Sequence, residues 1–124
     1  MSSNYEETLD KNFDKALELC SNTYSYDELI EFLKVGNIPE KQFSAIELSE
    51  LNSEADAKTF ISNLINCDGK IREAVAHKFL EFSKTKKYQE YFSKFPLIFA
   101  QATSDINANV SRMIIDGLCE MHEY

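Results

Sequence analysis

The sequence predicts an all-α fold made of repeated helical hairpins. Apolar residues recur at helical spacing along almost the whole chain. The connectors between these stripes are about two to five residues long, the length that joins antiparallel helices. Two segments also match each other at an offset of 31 positions. The 124 residues fit one domain, and 44% hydrophobic with 27% charged residues is a globular balance. With three Gly and two Pro, the chain is too poor in turn formers for a β-sandwich. The alternating runs bounded by Gly or Asn pairs that strands would need are absent.

The elements follow in order. Tyr5, Leu9, Phe13, Ala16, Leu17 and Cys20 form the apolar stripe of a first helix, Asn4 to Cys20, with acids on its other face. Ser21-Asn22-Thr23 breaks it. Ser25 and Glu28 have the spacing of a capping box, in which hydroxyl and carboxylate each satisfy an orphan backbone N–H. Leu29, Ile30, Phe32 and Leu33 then face a core. Gly36-Asn37 stops that helix, with Gly36 expected in the left-handed conformation. Pro39 opens the next helix where its missing N–H does no harm, and Phe43, Ala45, Ile46, Leu48 and Leu51 supply its stripe. Ser53 with Asp56 caps a helix carrying Phe60, Ile61, Leu64 and Ile65. Asp68-Gly69 is a tight turn, with Asp68 capping a helix that bears Ile71, Ala74, Val75, Phe79 and Phe82. Lys84-Thr85-Lys86-Lys87 is a polar connector. Tyr88, Tyr91, Phe92 and Phe95 lead to Pro96, which interrupts or restarts a helix. That cluster could be a binding surface or core around the kink, and core is the preferred reading. Leu97 to Ala102 is apolar, Asp105 to Asn109 is a turn, and Val110, Ile114, Ile115, Leu118 and Met121 form the last stripe.

The repeat organises these helices. At offset 31, Leu29 meets Phe60, Leu33 meets Leu64, Phe43 meets Ala74, Leu48 meets Phe79 and Leu51 meets Phe82. At offset 39, Asp68 meets Asn107, Ile71 meets Val110, Val75 meets Ile114, Phe79 meets Leu118 and Phe82 meets Met121. Extra residues near Pro96 and Asp105 account for the longer offset. A lone helix pair cannot bury its apolar face, whereas stacked pairs share a continuous core.

Asp68-Gly69-Lys70-Ile71-Arg72-Glu73-Ala74-Val75-Ala76 resembles the D-x-x-V-R-x-x-A signature of the HEAT-repeat family, in particular its short bacterial HEAT-like repeats. Asn107-Ala108-Asn109-Val110-Ser111-Arg112 is a looser copy with the Arg shifted by one, and Asn37-Ile38-Pro39-Glu40-Lys41-Gln42 is looser still and lacks Arg. The resemblance covers roughly residues 25 to 122. It implies a right-handed α-solenoid of about three HEAT-like hairpins, at 25–52, 55–83 and 87–122, with residues 1–22 as an N-terminal capping helix. The inner helices near Phe43 to Leu51, Ile71 to Phe82 and Val110 to Met121 would line the concave side. Gln42, Glu73, His77, Lys78 and Arg112 are the expected partner contacts there. In the family's pattern the Arg braces neighbouring repeats against the turn Asp, so Asp68 and Arg72 are expected as a structural pair. The last apolar face is either polar enough to stand in water or met by a partner, a second copy or further sequence.

Acids exceed bases by 8, which argues against a general nucleic-acid binder. The charge is uneven: net −9 over residues 1–56, +4 over 57–94 and −3 over 95–124. The acidic half could attract a basic protein, or the Lys84-Lys86-Lys87-Tyr88-Tyr91-Lys94 segment an acidic one. The plainer reading is solvated helix faces. Cys20, Cys67 and Cys119 are odd in number and lack a CxxC, so they read as free thiols, small and buried, in a reducing cytoplasm. No basic and apolar leader segment is visible, and no apolar run approaches the ~18 residues of a membrane span. A soluble, cytoplasmic protein is expected.

His77 reads as a concave-face or semi-buried side chain rather than a general base, which would need a nucleophile and an orienting acid within reach. His122 is expected in solvent. No HExxH, Cys/His quartet, EF-hand loop or glycine-rich nucleotide loop occurs, so neither metal nor cofactor is expected. The carboxylates Asp27, Glu28 and Glu31 are surface groups near a helix N-terminus. Together these features point to a non-catalytic protein–protein interaction module, a scaffold or adaptor using its concave face. One alternative is an inhibitor or immunity protein that binds a basic partner through its acidic half. The other is a lyase-like or DNA-glycosylase-like enzyme on a HEAT scaffold. Two Arg and no Trp tell against the glycosylase.

Overall fold

Capping chemistry sets where the helices begin. In the computed structural model, which describes residues 14–121, helix α1 covers 14–20. Helix α2 (Tyr26–Val35) starts at a complete Ser25–Glu28 capping box, and α3 (Ile38–Glu47) at a second one formed by Asn37 and Glu40. Ser53 caps α4 (Glu54–Ser62), which tightens into a 3₁₀ turn at Asn63–Ile65. Asp68 caps α5 (Gly69–Phe82). Helices α6 (Lys86–Phe92) and α7 (Pro96–Ala102) are short, and Pro96 restarts the chain at the first turn of α7. Asn107 caps α8 (Ala108–Glu120). The described residues are all-helical and contain no strand.

Helix α3 lies against α5, and α5 against α8; α2 lies against α4, and α4 against α6. The connection from α2 to α3 and the contact of α7 with α8 tie these together. A single apolar cluster runs from Leu29 to Met121. Its centre is aromatic: Phe60 meets Phe82 edge-on with centroids 5.4 Å apart, Phe79 meets Phe92 at 5.1 Å, and Phe79 meets Phe99 at 4.9 Å. Such pairs add about 0.5–1.5 kcal/mol each beyond area burial. Phe92 is fully buried, and Tyr88, Tyr91 and Phe95 pack half-buried against the same cluster, so the aromatic group before Pro96 is core. Gly117 lets α8 approach α5 closely, because a Cβ there would collide with the Phe79 ring.

Several expectations are corrected. Gly36 has φ −73° and ψ 168°, extended rather than left-handed. The next capping box begins one residue later, so the chain turns without a C′ reversal. Glycine fits there because a Cβ would press on the Phe32 carbonyl. In α1 the buried residue is Leu19, while Leu17 and Cys20 are exposed, since the inward face runs through Lys15, Ala16 and Leu19. All three cysteines are exposed, not buried. Cys67 lies in the turn before α5, and Cys119 lies on the face of α8 opposite Gly117 and Met121. Leu48 and Leu51 are buried as expected, but from the extended segment after α3 rather than from its helix. Ile46, Ile65, Leu97 and Ile115 are exposed, because each neighbours a residue that already takes the inward position. Tyr5, Leu9, Phe13 and the rest of the first helix up to that point lie outside the described residues, as does His122.

Candidate partner-binding groove

The register of α5 builds the site. Its inward face buries Ile71, Val75, Ala76, Phe79 and Phe82. Helical spacing then turns Lys70, Glu73, Ala74, His77, Lys78 and Glu81 to the other side. There they line a groove of about 800 Å³. Helix α3 contributes Gln42, Ala45 and Ile46 to one wall, and α8 contributes Asn109, Arg112 and Met113 to the other. The structure therefore brings Gln42, Glu73, His77, Lys78 and Arg112 into one groove. Sequence reasoning missed Met113 in the apolar floor and read Ala74 and Ile46 as core; Ala45, beside them, is fully buried as expected. The repeat offsets held a signal, since Phe43, Ala74 and Met113 occupy equivalent positions and the middle one, Ala74, is too small to fill a groove.

Hydrogen bonds show how α5 and α8 are aligned. Arg72 near the start of α5 bonds Asp105 just before α8. At the far end Gln89 donates to both Ser83 O, after α5, at 2.7 Å and Glu120 O, in the last turn of α8, at 3.1 Å. The two helices thus run side by side in the same direction, and Lys70 and Arg112 belong to the same end of the groove.

The charges are arranged unequally. Lys78 Nζ lies 3.3 Å from Glu81 Oε2 and 5.9 Å from the Phe82 ring centre, with its side chain only 15% exposed. His77 Nδ1 lies 3.8 Å from Glu81 Oε1, and its side chain is 71% exposed, which places it in solvent on the groove face. At the other end, Lys70, Glu73 and Arg112 have no ion-pair partner within 4.0 Å among the described residues. The lining contains no Ser, Thr or Cys.

Arg72 and Asp68 do not form the expected pair. The Asp68 carboxylate accepts from Lys70 N–H at 2.9 Å and Ile71 N–H at 3.0 Å, so it is committed to capping α5. Arg72, one turn on, points away from the groove. It donates to Asp105 Oδ2 at 2.6 Å and to the carbonyls of Asn66 and Cys67 at 2.9 and 3.1 Å. The brace therefore joins the turn before α5 to the turn before α8.

No group of His, Cys, Asp and Glu among the described residues is placed to hold a metal ion. No helix among them is long and apolar enough to cross a membrane. A second hollow of about 450 Å³ lies at the outer side of α7 and α8, lined by Phe92, Pro96, Phe99, Leu118 and Met121 among others. No protein-family model, curated protein or solved structure matches the chain.

Proposed function

We propose that this chain is a non-catalytic protein-binding module, a scaffold or adaptor that takes a segment of another protein into the groove over α5. The observation that carries this reading is that α3, α5 and α8 each lend side chains to one open groove with an apolar floor and a charged rim. Helices α3, α5 and α8 then form the inner row, and α2, α4 and α6 the outer row, of a short right-handed α-solenoid of three HEAT-like hairpins. The successive pairings of α3 with α5 and α8, and of α2 with α4 and α6, support that arrangement. From Lys70 to Glu81 the groove runs ~16 Å, the length of about three helical turns. Three exposed thiols without a disulfide suit a reducing cytoplasm.

Selection of a phage-displayed random peptide library on the full chain tests this. Selected peptides should bind the Ala74→Trp variant, whose groove is filled, at least about tenfold more weakly. The polar pair Gln42→Ala with Glu73→Ala, half-buried and exposed respectively, should weaken them less. Peptides that ignore all of these substitutions would overturn the reading.

A further inference from the structure

The groove is charged against the grain of the chain. The protein carries net −8, yet the groove lining holds Lys70, Lys78 and Arg112 against Glu73 and Glu81. Lys78 is neutralised in place by Glu81. What remains at the other end is Lys70 and Arg112 with a single opposing acid, Glu73.

The position of those cations matters. Lys70 is the second residue of α5, and Arg112 the fifth of α8. Lys70 therefore sits in the first turn of α5, at the positive end of its dipole, where a cation is unfavourable, while Arg112 lies just beyond the first turn of α8. The nearby Asp68 carboxylate spends its Oδ1 on capping α5. Neither cation therefore gains local stability from its place. Between them and the Lys78–Glu81 pair lies uncovered apolar surface, including Ile46 at 57% exposure.

Resting on the groove reading above, we infer that the occupant is an acidic amphipathic helix: a segment of about three turns whose apolar ridge covers Ile46, Ala74 and Met113, and whose carboxylates meet Lys70 and Arg112. An acid there gains both side-chain cations and, beside Lys70, the positive end of α5. A basic segment would add a third positive charge to that end and leave the apolar floor no better covered. Apolar anchors supply most of the affinity, and the charges set the choice between partners.

Two fluorescein-labelled amphipathic peptides of about eleven residues test the inference by fluorescence polarisation. They share one leucine ridge and carry flanking glutamates in one case and lysines in the other. The glutamate peptide should bind the full chain roughly tenfold more tightly than the lysine peptide. In the exposed double variant Lys70→Glu/Arg112→Glu that preference should reverse, and Ala74→Trp should abolish binding of both. Tighter binding of the lysine peptide, still lost in Ala74→Trp, would overturn the acidic occupant while leaving the groove in use. Glutamate-peptide binding that charge reversal leaves unchanged, or that is absent at millimolar concentration, would overturn it as well. Binding that Ala74→Trp leaves unchanged would overturn the groove and, with it, this inference. Circular dichroism of each variant separates loss of binding from loss of fold.

Discussion

Arg72 holds Asp105 across two turns of the chain, with Nε 2.6 Å from Oδ2, while its other nitrogens reach the Asn66 and Cys67 carbonyls and Asp105 Oδ1. Asp105 Oδ1 in turn accepts from Asn107 N–H at 2.8 Å, at the start of α8. One guanidinium thus aligns two turns and, through them, the N-terminal ends of α5 and α8. The side chains are 15% and 5% exposed, so the pair is largely withdrawn from water. Arg72→Ala strands the Asp105 carboxylate and should cost about 2–4 kcal/mol. Arg72→Lys should recover only part of this, because an ammonium cannot fork to carboxylate and carbonyls together. Urea titration of the two variants and of Arg72→Met/Asp105→Asn, expected to be milder than Arg72→Ala, measures the difference.

Gly117 is a packing residue, and its tolerance is set by Phe79. Gly117→Ala should destabilise by about 1–3 kcal/mol, despite alanine's better helix propensity, because the methyl meets the Phe79 ring. Shortening that ring by Phe79→Leu in the same chain should make the added methyl less costly than it is beside Phe79. A double-mutant cycle by thermal melting reads this coupling directly.

Tyr26 links the start of α2 to the start of α4. Its hydroxyl donates to Asp56 Oδ2 at 2.6 Å and accepts from Asn52 N–H at 2.9 Å. Burial first, and the bond to Asp56 second, push its ionisation well above the usual tyrosine range. A raised folded value means the contribution is intact below about pH 10 and is lost as pH climbs through the ordinary value towards the raised one. Tyr26→Phe should cost about 1–2 kcal/mol at neutral pH. Its stability should also fall less steeply than that of the unmodified chain above pH ~10. Denaturant midpoints across the alkaline range check both parts.

Ser44 is fully buried in α3, and its hydroxyl has no hydrogen-bond partner among the described residues. Removing an unpaired buried hydroxyl and adopting a better helix former act in the same direction. Ser44→Ala should therefore raise stability by up to about 1 kcal/mol, visible as a higher denaturation midpoint.

Cys20, Cys67 and Cys119 are exposed. All three should react with an aromatic disulfide reagent in the folded protein, at rates little changed by denaturant. A native chain that protects any one of them would contradict the described packing.

Helix positions were largely legible because their signals are local. Ser25 with Glu28, Asn37 before Pro39, and Asp68 each place a hydrogen-bond acceptor within three residues of the N–H it serves. The apolar repeats that meet at offsets 31 and 39 also marked Phe79, Phe60 and Ile114 as core. Among the expected contacts, Gln42, Glu73 and Arg112 could be named together because they occupy equivalent positions at those offsets.

Facing is where the local signal stops. Ile114 and Ile115 are adjacent and alike, and only the approach of α5 decides that the first is buried and the second exposed. Ala45 and Ala74 are alike by type, yet Ala45 is fully buried while Ala74 is partly open on the groove floor, because whether a small side chain is covered depends on the width of the gap above it. The partner of Arg72 had the same ambiguity. Asp68 is near in sequence, but its Oδ1 already accepts from two backbone N–H groups, and Asp105, 33 residues away, arrives only when α8 packs on α5. Residue type and spacing determined that this chain forms helices and where most of them begin. Which surfaces meet, and what is left open between them, was decided by tertiary packing, since contacts between distant residues carry no period that the sequence could display.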